Sequence, residues 1–163
     1  MYRQDGFTFI EAFVITVLLC LFAVIAAPRF LNIQEDEKIA ALQGVAGAIY
    51  GASGVIHSDA ISQGLAQKKR SSMYVSGQQI ELVYGYPRAT KTDLSNVLQD
   101  MGLDESFYFI QSYHIDDRQA ISIGIRGYTG QCIQYLEPAS FGKTIFVGLV
   151  ESNRCLPARN LGE

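Results

Sequence analysis

Near the N-terminus, the 21 residues from Phe7 to Ala27 carry one formal charge, the carboxylate of Glu11. As a helix this run spans about 30 Å, the hydrocarbon thickness of a bilayer. The run divides the chain. From Pro28 onward the composition is that of an ordinary soluble domain, so the 163 residues hold one modest domain and an appended apolar segment. An ionised carboxylate close to a membrane is costly unless it is shallow or paired, so Glu11 calls for a named partner.

Three readings compete for the segment. A cleaved secretory signal needs a basic start, a short uninterrupted apolar core and a small-residue cleavage site. "VIAAP" supplies the small residues, but Arg3 is offset by Asp5 and Glu11 interrupts the core. A plain membrane anchor explains the length and leaves the acid unexplained. Cleavage between Gly6 and Phe7 would create a cationic amine at Phe7. Glu11 could then pair with it at i,i+4 spacing, in its own chain or in a neighbouring subunit.

Helical rhythm continues from Pro28 to about Ala66. Ile39, Leu42, Ala46, Ile49, Ser53, Ile56 and Ala60 recur at steps of three and four, one face of a helix. Gly44, Gly47, Gly51 and Gly54 follow the same rhythm almost opposite that stripe. Each glycine costs a helix about 1 kcal/mol relative to alanine. Two explanations stand: a flexible joint, or a helix buried on two sides whose glycine face admits helices of other subunits. Gln43, Tyr50 and His57 form a third, polar stripe, on which His57 reads as a solvated residue. Lys68, Lys69 and Arg70 follow and complement the negative end of the helix dipole. Their alternative use is a surface- or DNA-contacting patch, for which neighbouring aromatics are missing.

From Met73 the period changes to two. "QIELVYGYP" reads as one strand ending at Pro87. "TKTDLSNVLQDMG" reads as a short helix capped by Thr92 or Thr90, with Leu94, Val97, Leu98 and Met101 inward and Gly102 at its end. Strands follow around Ser106–Ile115, Gln119–Arg126, Gln131–Glu137 and Thr144–Ser152, separated first by a turn at Asp116–Arg118 and then by "GYTG". An antiparallel meander is expected, one face on the helix and the other largely in water. Cys20 lies in the apolar run as a small hydrophobe. If the head is exported, pairing Cys132 with Cys155 is the economical reading, and closing that loop contributes roughly 3 kcal/mol. The alternative is two buried free thiols in a cytosolic protein.

"GFTFIE", an apolar stretch and "AAPRF" together resemble a type IV prepilin. "LQGVAGAIYGAS", "YGYPRAT" and the C-terminal "CIQYLEP" and "SNRC" look like the type IVa major pilins of mannose-sensitive haemagglutinin pili. The resemblance implies an α+β pilin fold, a long N-terminal helix packed on a four-stranded antiparallel sheet. It divides the chain into a leader (1–6), a transmembrane and filament-core helix (7–28), an amphipathic half (29–66) and a globular head (67–163). A prepilin peptidase would cut after Gly6 and methylate Phe7. Glu11 and Pro28 match the family's assembly glutamate and helix-kinking proline. The partners implied are further copies of the chain in a helical homopolymer, the inner membrane before assembly, and the inner-membrane pilus machinery. A surface or glycan ligand belongs to the adhesive role. The location implied is the inner membrane of a Gram-negative bacterium, then the extracellular pilus.

No catalytic constellation is visible. His57 and His114 sit on different elements without ligand spacing. Asp116 and Asp117 form a turn. Asp100, Asp104 and Glu105 lack the spacing of a calcium loop and read as surface. No enzyme activity, metal or cofactor is expected, and with a net charge of −3 neither is nucleic acid. Two other functions remain open: a minor pilin or secretion-system pseudopilin, and a monomeric membrane-anchored binding module.

Overall fold

The computed structural model describes residues 8–98, 106–151 and 153–156, and for residues 23–34 the backbone alone. The fold is α+β. Helix α1 spans Phe9–Ser62 and is followed by β1 (Ser71–Val75), β2 (Gln78–Val83), β3 (Tyr86–Pro87) and helix α2 (Lys91–Leu98). Strands β4 (Phe107–Ile115), β5 (Arg118–Ile125), β6 (Cys132–Leu136) and β7 (Phe146–Val150) come next, then a 3-10 turn at Asn153–Cys155. The chain forms two compact units, residues 1–37 and residues 38–163.

α1 stops at Ser62, four residues before the expected end. Gly64 adopts φ +67°, its amide donates to the Ile61 carbonyl, and the Leu65 amide reaches back to Ala60 at 2.8 Å. This pair of bonds is a Schellman cap, and its left-handed position favours glycine. Within the second unit, Leu42, Ala46, Ile49, Ser53, Ile56 and Ala60 are buried, so the apolar stripe read from the sequence is the core face.

Two sheets pack along that face. The four-stranded sheet has the order β4-β5-β6-β7, every neighbour antiparallel. Its Ile121, Ile123, Ile125, Ile133 and Tyr135 meet Leu42, Val45, Ala46 and Ile49 of α1. The second sheet, β1-β2-β3, is a departure from expectation: "QIELVYGYP" is two strands, and Ser71–Val75 is a third. Its Met73, Ile80 and Leu82 meet Ile56 and Ala60 of α1 and Val97 of α2. The break falls at Tyr84–Gly85, where both residues have positive φ and make a type I′ turn. Ser76–Gly77 and Asp116–Asp117 make the same turn elsewhere. A Cβ at Gly85 would lie 2.7 Å from His57 Nδ1 and 3.0 Å from Ala66 Cβ, so glycine is needed there for space as well as for φ.

The far face of the four-stranded sheet is not open to water, contrary to the expectation. β6 is buried along its whole length, with Cys132 and Leu136 on that face. The C-terminal turn covers it. Cys155 bridges to Cys132, the Arg154 guanidinium sits 5.0 Å over the Tyr113 ring, and Gln111 Nε2 donates to the carbonyls of Arg154 and Leu156.

The link between the sheets is polar and buried. Thr90 caps α2, accepting from the Asp93 amide at 3.1 Å, which settles the choice between Thr90 and Thr92. Asp93 accepts the Glu81 amide at 2.8 Å, and Glu137 accepts the Ala89 amide at 3.0 Å. The buried Tyr135 hydroxyl donates to the Pro87 carbonyl at 2.6 Å. Burial pushes its ionisation well above the ordinary phenol range. Met101 and Gly102 lie outside the described residues.

Candidate functional site

Thr8 and Glu11 open α1 with the acid's half of a capping box. The Thr8 amide donates to Glu11 Oε2 at 2.9 Å and the Thr8 hydroxyl donates to the same oxygen at 2.8 Å. A Thr at the cap and an acid three residues on satisfy an amide that the first helical turn would leave open. The signal is present in "TFIE", and the sequence reading, which seeks the acid's partner in a charge at Phe7, passes over the amide of Thr8. Both bonds fall on Oε2, which leaves Oε1 unpartnered among the described residues. The cleavage site Gly6–Phe7 lies outside those residues.

Behind the cap, Phe9 is 90% exposed, and Ile10, Phe13, Val14, Val17, Leu18, Leu21 and Phe22 are exposed as well. With the exposed Ala12, Ile15 and Leu19 they cover every side of the helix. An element apolar all round must be covered by lipid or by protein. Thr16 turns its hydroxyl onto the Ala12 carbonyl at 2.8 Å, which keeps its polar group internal to the helix. Cys20 is a free thiol on the same exposed segment. The backbone of α1 continues through Pro28, whose side chain lies outside the description.

Among the described residues, Glu35–Ser62 is the stretch that qualifies by length and composition as a membrane span, and Phe9–Phe22 is a shorter apolar stretch. The core side of the longer stretch argues otherwise, because Leu42, Ile49 and Ala60 are fully buried among the sheets. α1 thus carries a stretch long and apolar enough to cross a membrane that is partly packed on the sheets, and the shorter apolar stretch near Glu11 is the one left exposed.

The glycine stripe lies away from the core. Gly44, Gly47 and Gly51 are exposed and Gly54 is half-buried. A Cβ built on any of the four meets nothing within 4 Å. Nothing in the folded unit therefore requires glycine at these positions, although each weakens the helix. Tyr50 and Val55 are exposed beside the stripe.

The two histidines are not brought together. His57 is half-buried with its ring stacked 3.9 Å from Tyr86, a packing role instead of the solvated one expected. His114 lies on β4, paired with Gln119. Asp116 shares an exposed ion pair with Arg118 at 3.8 Å, and Asp100, Asp104 and Glu105 lie outside the described residues. Cys132 and Cys155 form the disulfide described above. No family model, curated protein or solved structure matches this chain.

Proposed function

We propose that this chain is the structural subunit of a type IV pilus, a major pilin of the mannose-sensitive haemagglutinin type. In this reading it assembles into a surface filament for attachment and biofilm formation. The observation that carries the assembly role is the glycine stripe. Four helix-weakening residues face open space in the protomer, so their use lies in contacts with other protomers, where a missing side chain lets backbones approach. The exposed apolar end of α1 supports the same role, since it needs lipid before assembly and neighbouring helices after it. The adhesive role rests on the sequence resemblance.

Under this proposal the leader 1–6 is removed, the amine of Phe7 is methylated, and Glu11 offers Oε1 to that amine in its own or an adjacent subunit. Electron microscopy of filaments sheared from the cell surface, with N-terminal mass analysis, tests it. Filaments composed mainly of a chain beginning at methylated Phe7 are expected. A chain that keeps residues 1–6 and forms no filaments overturns the proposal, and a trace component of filaments made of another protein would make it a minor pilin.

A further inference from the structure

The outer face of the β1–β2 hairpin carries a polar cavity of about 310 Å3 that the filament role does not use. The register pairs Ser72 with Glu81 and Tyr74 with Gln79, and all four residues are exposed on one face of the hairpin. Ser72, Gln79 and Glu81 of that row line the cavity with Arg70, Ser71, Leu82 and Arg88, while Tyr74 lies outside its lining.

The two guanidinium groups differ in an informative way. Arg88 is held in place by Glu81, by Gln119 Oε1 at 3.1 Å and by the buried Glu137 at 4.0 Å. It is a fixed wall of the cavity. Arg70 is exposed and has no ion pair among the described residues, nor do Lys68 and Lys69 before it. A planar guanidinium without a carboxylate partner, at the mouth of a cavity, suits a carboxylate ligand.

The other groups narrow the ligand further. Glu81 is more than half exposed and accepts hydrogen bonds from hydroxyls, which a saccharide supplies and a fully ionised phosphate or sulfate does not. Ser72 and Gln79 both donate and accept, and are already linked at 3.2 Å. Tyr74, 73% exposed, lies beside Gln79 on the same face and offers an exposed apolar ring surface. Mixed donors and acceptors, one available guanidinium and an exposed aromatic match a sugar ring that carries a carboxylate. We propose that this face of the β1–β2 hairpin binds an acidic saccharide, its carboxylate on Arg70 and its hydroxyls on Ser72, Gln79 and Glu81. The proposal is independent of filament assembly.

Isothermal titration calorimetry on the full chain in detergent tests it, with tetragalacturonic acid, its methyl ester and inorganic phosphate as probes. The free acid is expected to bind saturably, with the ester and phosphate at least roughly tenfold weaker, as for loss of one charged hydrogen bond. Arg70→Ala should weaken the free acid by about the same factor, and Tyr74→Ala by a few-fold, with melting temperatures unchanged because both side chains are exposed. Equal binding of acid and ester, no saturable binding of the acid, or an unchanged Arg70→Ala variant overturns the proposal. So does a Lys68→Ala/Lys69→Ala double variant that loses as much as Arg70→Ala, since that marks a diffuse cationic surface. Because the chain is unassembled in this measurement, any of these outcomes leaves the filament proposal standing.

Discussion

The two ends of α1 are both rich in apolar residues, and the structure treats them in opposite ways. From Lys38 onward most large apolar side chains turn inward to two sheets, with Tyr50, Val55 and Ile61 exposed among glycine and polar residues on the outward side. From Phe9 to Phe22 the apolar side chains point outward in all directions. Hydropathy alone does not separate these segments, since Glu35–Ser62, the stretch that passes as a membrane span, is the one packed on the sheets. What separates them is whether the apolar groups already have neighbours. Groups with neighbours build the folded unit, and under the filament proposal groups without them find neighbours in lipid or in other copies of the chain.

This contrast predicts that changes in the first segment alter assembly without touching the head. Glu11→Gln and Glu11→Ala divide its two roles. Glutamine keeps a capping partner for the Thr8 amide and removes the charge, whereas alanine removes both. Filaments counted by electron microscopy should disappear with either variant, while melting of the head is unchanged. Wild-type filament numbers with Glu11→Gln would show that the cap is the acid's whole role.

Gly47 tests the boundary between the segments, because its effects should have opposite signs. Gly47→Leu should leave the head folded by circular dichroism and block filaments, since open space in the protomer becomes a clash between protomers. Normal filaments from that variant would remove the glycine face from the assembly proposal. Within the head, Cys132→Ser should lower unfolding stability by about 3 kcal/mol in denaturant titration, releasing the C-terminal turn from β6. Gly85→Ala should cost at least about 1–2 kcal/mol from its left-handed backbone, with crowding against His57 added. Gly77→Ala, at similar φ but in open space, should cost less, and equal losses would show that His57 gives way freely. The smallest effect is a gain: Gly47→Ala should stabilise the isolated chain by about 1 kcal/mol.

Much of this architecture is legible in the residues. The stripe from Leu42 to Ala60 is a period that only helix burial produces, and the four later strands lie within a few residues of their expected limits. The missed features depend on contacts between distant residues or on turn chemistry. Tyr84–Gly85 hides a hairpin inside an apparently continuous strand, because a tyrosine at positive φ is an uncommon turn residue. The burial of β6 on both faces could not be read from "CIQYL", since the cover comes from residues 153–156 and depends on the disulfide. His57 looked solvated on the helix because its stacking partner, Tyr86, is 29 residues away.

The clasp between the sheets has a consequence for the order in which the head forms. Every strand pairs with its neighbour in sequence, and three of the turns are two-residue loops, so each sheet needs contacts of short range. Tyr135 to Pro87 and Glu137 to Ala89 each span 48 residues. Local pairings close faster than distant ones. Each meander can therefore form early by itself, and the slow events are those that join distant residues: this polar clasp, and the seating of β5 and β6 on Leu42 to Ile49 of α1, which lie farther away in sequence still.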